Sequence, residues 1–136
     1  MHRIGKVGQQ AIAAVSYLAS RGASYSSAAE VASARRLPQP IVGKILSELA
    51  QRGLVRSTPG PGGGYTLARP AADITLLDVV AVFDGAEQPL MMCPFGPDWC
   101  GHHAPCPLHD SIVAAGAQFD AFLRHQTFGV FVRAQS

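Results

Sequence analysis

Three cysteines, Cys93, Cys100 and Cys106, fall within 14 residues, and the chain contains no others. His109 follows the last of them, giving the pattern Cys93-x6-Cys100-x5-Cys106-x2-His109. Thiolate sulfur and imidazole nitrogen are ligands for iron–sulfur clusters and for Zn²⁺. An odd number of cysteines packed this closely fits ligation better than a disulfide framework. Pro94, Gly96, Pro97, Gly101 and Pro105 lie between the thiols and let the backbone curl around a centre. Cys106 and His109, three apart at an expected helix start, face the same way, and a helix N-terminus favours the thiolate. His109 is the first choice for a fourth ligand; Asp98, His102, His103 or a first-helix residue of a partner subunit are the alternatives. A Cys nucleophile with a His base would need a third orienting group and a substrate pocket. A chain of 136 residues offers no obvious second layer for either, so neither an enzyme nor a small-molecule substrate is expected.

The elements that must position this segment are readable from periodicity. Val7, Ala11, Val15 and Leu18 form a helical stripe over 7–20, closed by Arg21-Gly22. Ser27-Ala28-Ala29-Glu30 fits a capping box and opens a short helix to about Ala34. Pro40 suits the first turn of a third helix, because its missing N–H costs nothing there. That helix carries Ile41, Ile45, Leu46 and Leu49 on one face and Lys44, Ser47 and Gln51 on the other, with Gly53 as its stop. Two helices joined by a short turn, the second with a polar outer face, form a helix-turn-helix.

Leu54–Ser57 and Tyr65–Leu67 flank Pro59-Gly60-Pro61-Gly62-Gly63-Gly64 and read as a hairpin, or wing. A nucleotide-binding glycine loop would instead be followed by a helix and usually by Gly-Lys-Ser/Thr. A helix of about ten residues follows Thr75, with Leu76, Val79, Val80 and Phe83 on its apolar side. The last long helix starts near Pro107 or Leu108 and runs to about Arg124, and Thr127 caps a final short turn. Phe119, Phe122, Phe128 and Phe131 need cover, and a second copy of the same helix is expected to supply it more readily than the chain's own core. The expected fold is mainly α, with a winged helix-turn-helix domain (1–85), a cysteine-rich loop (86–107) and a dimerisation helix with its tail (108–136).

Charge separates the two halves. Residues 1–70 hold nine Lys/Arg against Glu30 and Glu48, whereas residues 71–136 hold two Arg against seven acids. A compact basic half is the footprint of a polyanion partner. With 48% hydrophobic and 15% charged residues the chain can bury a core and is not a disordered polyelectrolyte. No apolar run approaches the ~18 residues of a membrane span, and no apolar signal core follows the first residues. A cytoplasmic protein without membrane contact is expected.

Taken together, the helix-turn-helix, Gly53-Leu54-Val55, Gly60-Pro61-Gly62-Gly63-Gly64-Tyr65, the three-cysteine loop and a long helix closing on Thr127-Phe128-Gly129 are distinctive. This order resembles the iron–sulfur cluster regulators, the bacterial winged-helix family that includes the iron–sulfur biogenesis regulator and the nitric-oxide-sensing repressor. The resemblance covers nearly the whole chain. It implies a homodimeric transcription factor on palindromic, double-stranded promoter DNA, gated by a cluster on Cys93, Cys100 and Cys106. Cys106-Pro107-Leu108-His109 is similar to the Cys-x2-His end of the biogenesis regulator, which implies His109 as fourth ligand and [2Fe–2S] ahead of [4Fe–4S]. In the nitric-oxide sensors a carboxylate early in the partner's first helix takes that place. The matching position here is near Gln9, a poor ligand. The first cysteine gap is one residue longer than in the biogenesis regulator. Pro59 stands where that regulator has an arginine, and Gly43 where it has an acid, so a different operator is implied. Zinc binding, or a cluster-free regulator answering thiol oxidation or a partner protein, is the alternative.

On this reading Gln39, Lys44 and Ser47 approach base edges or phosphates in the major groove. Arg56 and the amides of Gly62, Gly63 and Gly64, beside Tyr65, serve the wing contact. Arg3, Lys6, Arg35 and Arg36 are expected on phosphates.

Overall fold

Helix α1 (Lys6–Ser20) buries Ala11, Ala14, Val15, Leu18 and Ala19 along one side. The buried stripe begins at Gly8; Val7, expected to start it, is exposed. The computed structural model describes residues 4–84 and 107–133. Gly22 at φ +63° ends the first helical stretch, a conformation open to glycine without a Cβ clash.

Helix α2 (Ala28–Arg35) starts where the capping pattern places it, with the Glu30 N–H donating to Ser27 Oγ at 3.0 Å. Only half of the expected box is seen among the hydrogen bonds. The Glu30 carboxylate accepts from the Tyr17 hydroxyl at 2.6 Å and pairs with Arg21 at 3.4 Å, tying α2 to α1. Helix α2 closes in a Schellman arrangement, with Leu37 N–H on Ala32 O and Arg36 N–H on Ser33 O. Helix α3 (Gln39–Gln51) follows at once, with Pro40 in its first turn. Its buried face is Val42, Ile45, Leu46 and Leu49; Ile41 is only half-buried.

Strands β1 (Val55–Thr58) and β2 (Gly64–Leu67) pair antiparallel, Val55 opposite Leu67 and Thr58 opposite Gly64. The hairpin does not stand free. Ser26, in the turn before α2, exchanges two backbone hydrogen bonds with Tyr65 (2.9 and 2.8 Å), and Thr66 Oγ1 donates to Gly22 O. At Gly64, φ is +137° and an added Cβ would strike the Ser26 carbonyl, so only glycine allows this approach.

A 3₁₀ turn (Ala71–Asp73) leads to α4 (Leu76–Asp84), opened by a reciprocal box in which Asp78 N–H donates to Thr75 Oγ1 and Thr75 N–H to Asp78 Oδ2. Helices α5 (His109–His125) and α6 (Gly129–Arg133) complete the described chain. Their junction returns to the front of α4: Leu76 N–H donates to Gln126 O and Phe128 N–H to Ile74 O, both at 3.0 Å. Thr127 Oγ1 accepts from Gly129 N–H, as expected of a cap. Leu123 and Phe128 are fully buried and join α1–α4 in one hydrophobic cluster. The four phenylalanines therefore divide: Phe128 is core and Phe131 packs half-buried against it, while Phe119 and Phe122 stay exposed on α5. The chain's own core thus covers the pair nearest the junction, because the Thr75–Thr127 bridge draws that turn inward.

Candidate nucleic-acid interface

Helix α3 buries its apolar residues and turns Gln39, Lys44, Ser47 and Gln51 to solvent. Arg36 is exposed at the turn that delivers this helix, held at φ +54°. Lys6 is exposed at the start of α1, and Arg3 lies outside the described residues. The two acids of the basic half are both engaged locally, Glu30 by Tyr17 and Arg21, Glu48 by Arg52 at 3.4 Å. The Tyr17 hydrogen bond, aided by Arg21, holds the Glu30 carboxyl below its ordinary range. That keeps its charge compensated and leaves the exposed cations of α3 and the preceding turn to set the local potential.

Arg35 differs from the free phosphate arm expected of it. Its Nε donates to Ala13 O at 3.2 Å and Ser16 Oγ at 3.1 Å, and its guanidinium lies 5.3 Å from the centre of the Tyr17 ring. It binds α2 to α1 from within. In the wing, the Gly63 N–H is spent on Gly60 O at 3.0 Å, and both backbone groups of Tyr65 on Ser26. These two amides close the turn and dock the hairpin. Arg56 leaves β1 exposed but bends back, Nη2 donating to Ala68 O at 3.3 Å.

Cys93, Cys100 and Cys106 lie outside the described residues. Among the sequence-derived ligands, His109 alone is described: it is the first residue of α5, half-buried. No group of three or more potential ligands occurs among the described residues. By donor chemistry alone, three thiols and an imidazole at the start of α5 suit a metal centre.

Two positioning residues have faint sequence signals. Asp84 closes α4 and accepts the Gly5 N–H at 3.0 Å, against a Gly5/Gly8 pair without side chains. Ser26 is an unmarked residue in a polar run. Only the three-dimensional meeting of the wing with the α1–α2 turn gives it a role.

A polar-faced helix of this diameter enters a major groove, with a hairpin beside it for the backbone. The class so defined is the winged helix-turn-helix transcription regulators. The fold matches the solved structure of CymR (YrzC), described as the global cysteine regulator of B. subtilis, with a TM-score of 0.78 at 23% identity over the whole of both chains. It also matches T. potens IscR, with a TM-score of 0.72 at 21% identity over 98% of this chain and 88% of that one. A protein of Aquifex aeolicus (strain VF5), named provisionally as an HTH-type transcriptional regulator, is 32% identical over 119 residues, covering 86% of this chain and 82% of its own. The chain belongs to the Rrf2 family, iron-dependent transcriptional regulators, whose profile matches residues 4–134. It is a DNA-binding transcriptional regulator, and its relatives are regulators rather than enzymes. No helix among the described residues is long and apolar enough to cross a membrane.

Proposed function

We propose that this chain acts as a homodimer on palindromic promoter DNA, with an affinity set by an iron–sulfur cluster on Cys93, Cys100, Cys106 and His109. One observation carries the reading: His109 opens the same helix that exposes Val113, Phe119 and Phe122. An exposed apolar run of this kind marks a protein interface, and a two-fold dimer is the commonest way to cover it. A ligand at the head of the dimer helix couples the state of the cysteines to the spacing of two DNA-reading heads. Cys93, Cys100, Cys106 and His109 would hold the cluster, which supplies sensitivity to iron supply and oxidation, with [2Fe–2S] favoured over [4Fe–4S]. Gln39, Lys44, Ser47 and Arg36 serve the major groove and its flanking phosphates, with Lys6, Arg3, Arg56 and the wing tip at Gly62 on the backbone. The proposed division of labour is DNA reading by 1–85, cluster binding by 86–107 and dimerisation by 108–136.

The test is anaerobic purification with iron, sulfide and zinc analysis and an absorption spectrum. A brown or red protein whose colour is lost in C93A, C106A and H109A is expected, with operator affinity shifted about 5- to 150-fold. Colourless zinc protein, or unchanged operator affinity in the three variants, overturns the cluster reading. If each dimer neutralises ~6–10 phosphates, affinity falls ~10³–10⁵-fold between 50 and 200 mM salt.

A further inference from the structure

Between the root of the wing, the α1–α2 turn and α6 lies a recess of about 390 Å³. That is the small end of the range for ligand pockets, about 300–1,000 Å³. Arg56, Arg69 and Tyr25 line it together with Leu67, Ala71 and Val132, and none of its lining residues is acidic. Two arginines thus line one hollow together with apolar residues. The bend of Arg56 brings its guanidinium to the carbonyl of Ala68, the residue before Arg69 in the chain. Arg69 makes a long contact to Asp78, 3.9 Å, and its side chain is half-exposed.

We propose that this recess is a regulatory site for a small organic carboxylate. The anionic head meets Arg56 and Arg69 with the Tyr25 hydroxyl beside them, and the body covers Leu67, Ala71 and Val132. Guanidinium groups match the two oxygens of a carboxylate. A bare inorganic anion would leave the apolar residues unused, which is why the ligand is organic. Occupancy would hold Arg56 at the wing root and so lower operator affinity. That consequence rests on the DNA contact proposed above; the binding itself does not.

The experiment titrates ¹⁵N-labelled full-length protein with sodium benzoate, with benzamide and inorganic phosphate in parallel. Saturable shifts at the amides of Tyr25, Leu67 and Ala71 are expected, with a Kd on the order of 1 mM. Benzamide and phosphate should bind at least about tenfold more weakly, one lacking the charge and the other the apolar body. R69Q should abolish the benzoate shifts and R69K should retain part of them, each with an otherwise unchanged spectrum. No saturable shift below about 20 mM, or equal binding of phosphate and benzoate, overturns the proposal. So does an R69Q variant that binds benzoate normally. If the wild-type protein shows no benzoate shifts while R69Q weakens operator binding and flattens its salt dependence, the recess seats a DNA phosphate instead, and the small-molecule site is likewise refuted. Saturable benzoate binding that leaves operator affinity unchanged would count against the DNA contact of Arg56 alone.

Discussion

The Asp84 carboxylate closes α4 and at the same time seats itself on the first turn of α1, where it accepts the Gly5 N–H at 3.0 Å and where a Cβ at Gly8 would collide with it. A negative charge is favourable at the N-terminus of α1 and unfavourable at the C-terminus of its own helix, so the contact between helices decides its position. It also couples the last described residue before the cysteine-bearing sequence to the helix that carries Lys6. G8A should cost about 1–3 kcal/mol by overpacking. In a D84A background the same change should be neutral, or favourable by up to ~1 kcal/mol through helix propensity. Urea denaturation of the four proteins checks this, and strictly additive effects would refute the contact.

The wing glycines should differ sharply. G64A places a Cβ on the Ser26 carbonyl at φ +137° and is expected to cost about 2–5 kcal/mol. Gly62 has φ +77° but open space around it, so G62A should cost only about 1 kcal/mol. Thermal unfolding ranks them, and only G64A should lose the Ser26–Tyr65 amide protection in hydrogen exchange.

Arg36 separates stability from binding. It is the non-glycine residue at positive φ among those described. Glycine at that site relieves about 1 kcal/mol of left-handed strain, while removing a cation from the helix-turn-helix. R36G is expected to hold or raise the melting temperature and to weaken operator binding, with a salt slope lower by about one. Unchanged DNA affinity would remove Arg36 from the interface.

Phe119 and Phe122 stack at 6.2 Å on the exposed side of α5. In a monomer, F119S/F122S should leave stability within about 0.5 kcal/mol, because these rings lie outside the core. In a dimer held by that face the variant should sediment as a monomer and lose operator binding. A wild-type protein that sediments as a monomer at micromolar concentration would refute the dimer.

The Tyr17–Glu30 hydrogen bond makes part of the stability pH-dependent. Glu30 is depressed, so its contribution is present above the ordinary carboxylate pKa and is lost as pH falls through the lower folded value. Tyr17 is raised, chiefly by the same hydrogen bond, so its contribution is present below the ordinary tyrosine pKa and is lost in strong alkali. The Glu30 side chain is 39% exposed, so solvent screening keeps the effect small. Melting temperatures of wild type and Y17F should differ most near neutrality and converge as pH falls below the ordinary glutamate range. Parallel curves across the acid range would show that the pair contributes nothing.

The sequence by itself determined the order of elements, because each is marked by short-range physics. Ser27 supplies a cap, Pro40 a first turn, Gly22 and Gly53 positive φ, and the 3.6-residue stripes choose the buried side of α1 and α3. A candidate donor set was legible too, since Cys93, Cys100, Cys106 and His109 are close along the chain. The exposed helix face with Gln39, Lys44 and Ser47 was legible for the same reason. What only the tertiary structure decided depends on residues far apart in the chain. Glu30 turns from its own helix to Tyr17 and Arg21, and Arg35 turns inward to Ala13 and Ser16. The aromatic quartet splits because a bridge from Thr75 to Thr127 pulls Phe128 into the core and leaves Phe119 and Phe122 outside. Spacing along a helix says which side chains share a face. Which partner that face meets is set by contacts whose energies exist only once distant segments have come together.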